Sequence, residues 1–323
     1  MSGVRIVEIA EGDGDQRFDR WVKKHYPALG HVQLQKLLRT GQFRLDGKRV
    51  KAGDRVQPGQ SVRIPPLEVA ERRERPGVSE RDARFIRSLV IHEDDELIVI
   101  DKPAGLAVQG GSKTTRHVDG MLDAFGKEST RPRLVHRLDR DTSGVLVLAR
   151  NAAVARELMH AFQGHSVRKL YWAVVQGKPE RNEGLIDLRL GKSGPPGQER
   201  MTSEAIDARR AQTDFRVIAR SGKIGAWVGL MPVTGRTHQL RAHMEAIGTP
   251  IMGDGKYGGE RPSTAPAGLM LHARELFLPR SGSRPPLSVK ADPPRHFVEG
   301  LAWLGLSPEA IPYSAIADWD KEE

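Results

Sequence analysis

Nine consecutive residues, His136-Arg137-Leu138-Asp139-Arg140-Asp141-Thr142-Ser143-Gly144, bring together two carboxylates, two guanidinium groups and two hydroxyls. The stretch ends on glycine and runs straight into the apolar segment Val145–Ala149. An Asp beside arginine stays ionised, because a nearby opposite charge lowers its pKa. Held at a strand end and facing a cleft, such a carboxylate can serve as nucleophile or general base. The same residue types also suit a purely structural turn, with Asp, Thr and Ser capping their own backbone. Composition alone leaves both readings open.

Other constellations carry less. Ser143 has acids and His136 nearby, yet Thr-Ser-Gly lacks the Gly-x-Ser-x-Gly elbow of hydrolases. His238 and His243 are five apart, so they do not share a helix face as zinc ligands four apart would. Gly110-Gly111-Ser112-Lys113 lacks the spacing of a nucleotide phosphate loop. Glu93-Asp94-Asp95-Glu96 reads as a solvated turn rather than a calcium site. With no Cys, thiol nucleophiles, disulfides and iron–sulfur clusters are excluded.

The elements that must position these residues are strand-rich. Leu97–Lys102 and Val145–Ala149 read as buried strands, followed by Lys169–Gln176, Leu185–Leu190, Phe215–Ile218, Trp227–Met231 and Leu269–Leu278. Asn151 is placed to N-cap a helix through Gln163, with Val154, Leu158 and Phe162 on one face. Thr237–Ile247 is amphipathic and stops at Gly248. Strands outnumber helices and do not alternate with them, which predicts an α+β fold with a mixed, mainly antiparallel sheet. Nearer the start, Phe18, Trp21 and Val22 recur at helical spacing, and Val32–Arg39 forms a second helical pattern before Gly41. Phe43-Arg44-Leu45, the hairpin signal Asp46-Gly47, Val56 and Ser61–Ile64 complete a small unit of helices and short strands. Trp21 and Phe43 are expected in its core.

The chain's 323 residues are 38% hydrophobic and carry a net charge of +10. Between residues 16 and 65 stand 12 Lys/Arg against three Asp/Glu, a net of +9 that leaves about +1 for the remainder. A charge excess confined to one small unit points to a polyanion-binding module on a near-neutral body. No apolar run approaches a membrane span, and no secretion signal is visible at the start, so a cytoplasmic location is expected.

His136–Gly144 resembles the signature of the RluA family of pseudouridine synthases. The resemblance continues through Lys169-Leu170-Tyr171-Trp172-Ala173-Val174 and Pro232-Val233-Thr234-Gly235-Arg236-Thr237-His238-Gln239-Leu240-Arg241-Ala242-His243. It extends through Gly253-Asp254-Gly255-Lys256-Tyr257-Gly258 and Leu271-His272-Ala273. Residues 15–66 are similar to an S4-type RNA-binding domain. Arg63-Ile64-Pro65-Pro66 and Val108-Gln109-Gly110-Gly111-Ser112 look like the family's RluC branch, which modifies large-subunit (23S) ribosomal RNA.

The resemblance implies isomerisation of uridine within RNA: the C1′–N1 bond breaks, the uracil turns, and it rejoins through C5. Neither cofactor nor metal is implied. Asp139 matches the catalytic carboxylate. Attack on uracil C6, attack on C1′ and ribose deprotonation to a glycal all remain open at this level. Tyr171 matches an active-site tyrosine that could stack on uracil or help remove the C5 proton, though a core strand tyrosine is the plain alternative. Arg241 is expected to pair with Asp139. Arg137 could fill the space left when the nucleotide flips out of the stack, or else contact phosphate. His136 and Thr142 are expected to bind substrate with it. Lys36 and Arg39 on the second helix, and Lys48 and Arg49 after the hairpin turn, are expected to track RNA phosphates.

The expected organisation is an S4-like domain over 15–66, a linker over 67–85, a pseudouridine synthase domain over 86–284, and a tail over 285–323. Trp303, Pro312, Tyr313 and Trp319 could dock that tail. A monomer without an obligate protein partner is expected. The rival reading is a non-catalytic RNA-binding factor for ribosome assembly on a synthase scaffold.

Overall fold

The computed structural model describes residues 3–67, 77–111, 114–127, 130–195, 198–258, 263–280, 284–308 and 316–319. The chain forms two compact units, Met1–Gly77 and Val78–Glu323.

The first unit contains β1 (Arg5–Glu8), α1 (Phe18–His25), α2 (His31–Arg39), β2 (Arg44–Leu45), β3 (Lys48–Arg49) and β4 (Ser61–Ile64). Its antiparallel sheet runs β1-β4-β2-β3. Phe18, Trp21, Val22, Leu34, Leu38 and Phe43 make one buried cluster with Val62, so the aromatic pair is core as expected. Asp46 and Gly47 both take positive φ, 49° and 76°, the geometry of a tight hairpin turn. Two expectations need correction. Strand β1 precedes residue 15, and its largely exposed edge gave no alternation to read. Val56 is buried but lies outside the named strands; its N–H bonds Gln16.

The second unit opens with α3 (Glu80–Ser88), β5 (Val90–Glu93), β6 (Leu97–Lys102) and α4 (Val118–Met121). β7 (Arg133–Leu134), β8 (Ser143–Ala149), α5 (Ala152–Gln163) and β9 (Arg168–Gln176) follow. Then come β10 (Glu183–Ser193), β11 (Arg200–Thr202), β12 (Arg209–Ser221) and β13 (Gly225–Pro232). The unit closes with α6 (Gln239–Ala246), β14 (Leu271–Leu278), β15 (Leu287–Lys290) and α7 (Arg295–Trp303). One sheet runs β11-β10-β12-β13-β9-β14-β8-β6-β5, with β15 added to β14 and β7 to β8. Every named pairing is antiparallel except β14 with β8. The mixed, mainly antiparallel sheet is therefore as expected.

The parallel pair explains Gly144. Its φ is +108°, and a Cβ there would lie 2.2 Å from the Ala273 carbonyl oxygen. Only glycine lets β8 approach β14 so closely, directly after the Asp139 loop. All seven residues of β8 are buried, as a central strand requires.

Two boundaries differ from expectation. Residues 68–76 of the expected linker lie outside the described residues, but 80–85 are helical. Ser79 N-caps α3 by accepting from Asp82 N–H at 3.1 Å, and Ile86 is fully buried. The segment after 284, expected as a tail docked on the synthase domain, is built into the unit. β15 extends the sheet, and Phe297, Leu301, Leu304 and Ile316 sit in the main core, with Trp303 and Trp319 packed against it. Pro312 and Tyr313 lie outside the described residues.

Candidate active site

The 136–144 segment leads into β8 and is pinned from below. Lys102 closes β6 and is wholly buried. Its ammonium donates to the carbonyls of Pro103, Leu106 and Arg140 at 2.9, 2.8 and 3.0 Å, which uses all three of its donors. Burial lowers its pKa to about 8, against the pull of Asp141, Asp139 and Asp101. Thr142 N–H returns to the Asp139 carbonyl at 3.2 Å, closing the turn. Asp139 thus sits on backbone fixed at both sides, with its side chain 20% exposed.

The side chain faces a cleft of about 560 Å³ lined by Arg137, Tyr171, Lys169, His238 and Arg241, among others. Tyr171 lies on β9 opposite Leu230 of β13 and Ala273 of β14, so its ring stands on the central sheet. Burial, reinforced by the Asp139 carboxylate, pushes its phenol above the usual range. Lys169, two residues earlier on the same strand, also lines the cleft, and burial lowers its pKa.

Arg241 reaches Asp139 as expected, but it also has a second and closer partner. Its main partner is Asp254, which accepts from Nε and Nη2 at 2.7 Å each and is itself fully buried. Nη1 alone is turned to Asp139, 3.7 Å from Oδ2. Asp254 Oδ1 also accepts the N–H groups of Lys256 and Tyr257. The fork geometry of guanidinium and carboxylate makes Asp254 the anchor, and Asp139 the group that the remaining nitrogen addresses.

The start of α6 is held by a buried amide. Gln239 accepts from Thr234 Oγ1 and Arg236 N–H, and donates to Gln212 O and Thr213 Oγ1. His238 precedes it with φ 50°, and its Nε2 is 3.8 Å from Asp139 Oδ2. The expected helix therefore starts two residues later than Thr237, because His238 adopts left-handed backbone.

Two further residues expected at the substrate, His136 and Thr142, line the same cleft. His136 is stacked on Phe162 with ring centroids 4.4 Å apart, and its Nε2 accepts from Val147 N–H at 2.9 Å. Burial pushes it down to about 3, helped by Lys169, so it is a neutral brace between the loop and β8. Thr142 is 2% exposed, and its backbone N–H closes the turn onto Asp139. Arg137 is exposed at the cleft. Lys36, Arg39, Lys48 and Arg49 are exposed on the first unit.

The discarded constellations also resolve. Ser143 Oγ meets His272 Nδ1 at 2.9 Å, both fully buried, so no hydrolytic pair with His136 exists. Glu93–Glu96 is cross-linked by Arg150, Arg280 and Arg284. Among the described residues, no group of three or more His, Asp or Glu could hold a metal.

A family model described as RNA pseudouridylate synthase matches residues 96–246. The chain is 33% identical over 297 residues to "Ribosomal large subunit pseudouridine synthase C" of Escherichia coli (strain K12), covering 89% of this chain and 92% of that protein. It is 32% identical over 291 residues to the protein of the same name from Rickettsia typhi, covering 88% and 96%. The chain belongs to the RluA family of RNA pseudouridine synthases. Among solved structures, this synthase resembles "Human RNA Pseudouridylate Synthase Domain Containing 4", with a TM-score of 0.57, 27% identity, and coverage of 70% of this chain and 97% of that one.

Reading the synthase from its sequence missed Lys102, Asp254 as the partner of Arg241, and the placement of His238. Lys102 carried one visible signal, a lysine closing a strand whose first four residues are apolar. Asp254 and His238 stood inside the quoted motif stretches, but their partners, Arg241 for the one and Asp139 with Tyr257 for the other, are set by the fold.

Proposed function

We propose that this synthase converts uridines of large-subunit ribosomal RNA to pseudouridine, with Asp139 as the reacting carboxylate and neither metal nor organic cofactor. The observation that carries the reading is a fixed, part-buried carboxylate in a cleft that Tyr171 and Arg241 also line. The substrate class is supported by the names of the relatives that match nearly the whole chain.

The reaction breaks C1′–N1 and forms C1′–C5. The C5 proton leaves and N1 gains one, so no oxidant or water is consumed. Asp139 forms and releases the transient bond or takes the proton, a task for an ionised carboxylate. Tyr171 stays protonated, so it contributes a ring face for the uracil and an O–H donor rather than a phenolate base. Arg137, exposed at the cleft mouth, fills the stack once the nucleotide is extruded. The first unit is an S4-like RNA-binding module, and its exposed Lys36, Arg39, Lys48 and Arg49 supply phosphate contacts. The enzyme works as a cytoplasmic monomer; no helix among the described residues is long and apolar enough to cross a membrane.

Mapping pseudouridines in ribosomal RNA from cells with and without the gene tests the substrate. Loss of one or more large-subunit sites on deletion, restored by the intact gene, is expected. An unchanged map would refute the assignment, and restoration by a gene encoding Asp139→Asn would favour a non-catalytic assembly role.

A further inference from the structure

His238 takes φ 50° and ψ 21°, left-handed backbone that is uncommon for residues other than Gly, Asn and Asp. The turn that follows is locked by the four hydrogen bonds of the buried Gln239 amide. That backbone directs the imidazole between two groups. Nδ1 is 3.1 Å from Tyr257 Oη, and Nε2 is 3.8 Å from Asp139 Oδ2.

Tyr257 settles which ring nitrogen carries hydrogen. Its phenol is buried, and the oxygen accepts Met201 N–H at 2.9 Å. Among the described residues, the acceptor in reach of the phenolic proton is His238 Nδ1. Buried O–H groups are almost always satisfied, so Nδ1 accepts and Nε2 bears the hydrogen. Burial holds His238 below the ordinary histidine range, against the opposing pull of Asp139, so the ring is neutral near pH 7. Arg241 Nη1 approaches the same carboxylate oxygen, Oδ2, at 3.7 Å. Two donors therefore converge on Oδ2.

We propose that His238 is a positioning residue of the synthase: locked by Tyr257 as the Nε2–H tautomer, it shares with Arg241 the task of holding Oδ2 of Asp139, leaving Oδ1 to meet the nucleoside. The proposal rests on Asp139 being the reacting carboxylate. At 3.8 and 3.7 Å both donors stand just beyond hydrogen-bond length, and the proposal requires them to close on Oδ2 in the complex with RNA.

The test uses full-length protein and 23S ribosomal RNA transcribed with uridine tritiated at C5, following tritium release at saturating RNA and its KM. His238→Asn suits left-handed backbone, but its amide ends near the level of Nδ1 and cannot reach Asp139. His238→Gln suits the backbone less, but carries an N–H at the level of Nε2. The proposal predicts that Gln keeps kcat within about threefold while Asn loses about 30-fold or more, with KM moving little in either. A role confined to the backbone predicts the reverse order, and that result would overturn the proposal. Independently of any RNA, the 15N spectrum of His238 should report hydrogen on Nε2 in the wild type and shift toward a tautomer mixture in Tyr257→Phe. A wild-type spectrum with hydrogen on Nδ1 would overturn it as well. Failure of the wild type to release tritium would instead count against the proposed function, with the nitrogen spectrum still deciding the tautomer.

Discussion

Arg241 gives two of its nitrogens to Asp254 at 2.7 Å and offers a third, Nη1, to Asp139 at 3.7 Å. The cation near Asp139 is thus anchored by a second, fully buried carboxylate. A buried ion pair costs desolvation and is weak evidence of stability in itself. Here it fixes the direction in which the spare nitrogen points.

Asp254→Asn separates the two roles of that pair. It leaves a guanidinium that is 11% exposed without its counter-charge, which costs about 3–5 kcal/mol when one partner of a buried pair is lost. Urea unfolding should show that loss, and any folded enzyme should release tritium more slowly because Arg241 is no longer aimed. Unchanged stability would mean that Asp254 does not carry the anchor.

Lys102 makes a prediction about pH. Its folded pKa of about 8 lies below the ordinary lysine value of 10.5. Between those values the unfolded chain binds more protons than the folded one, so stability rises with pH across the window. The burden of the buried charge is fully present below pH 8 and is relieved as pH climbs toward 10.5. Relative to Lys102→Met, wild-type stability should therefore gain up to about 3 kcal/mol over that range, at about 1.4 kcal/mol per pH unit. A flat difference between the two proteins across pH 8–10.5 would contradict this.

The first unit is tested by salt. Replacing Lys36, Arg39, Lys48 and Arg49 with Ala should weaken binding to ribosomal RNA. It should also flatten the dependence of log K on log salt, by about 0.7–0.9 per lost phosphate contact. Filter-binding titrations from low to moderate salt measure the slope. A slope equal to that of the wild type would remove these residues from the RNA path.

How much was legible in the chain follows from where the signals lie. Helix α5 was readable because Asn151 accepts from Ala153 and Val154 N–H at 3.0 Å, a cap written in local sequence. The glycine ending the 136–144 stretch was readable too, though its reason, contact with Ala273 on β14, was not. Strand β12 showed only as Phe215–Ile218, although it spans Arg209–Ser221. Its inward positions include Ala211 and Thr213, which offer little hydrophobic contrast to their polar neighbours. His136 was readable as a cleft residue, but its bracing of the loop against Phe162 and Val147 was not. The partners of Asp139 were hardest to assign. Arg241 was visible from its motif, but its commitment to Asp254 depends on how α6 packs beside the 253–258 turn, which local sequence does not state.

The most direct test compares wild type with Asp139→Asn in a single-turnover reaction on 23S ribosomal RNA tritiated at uridine C5, with RNA affinity measured in parallel. Asn matches the carboxylate in size but has no charge to form the transient bond or take the proton. Tritium release should fall by about 10³-fold or more, as expected when a covalent or proton-transfer role is removed, while affinity stays within a few-fold. Release by Asp139→Asn at a rate near that of the wild type would contradict the assignment of that side chain.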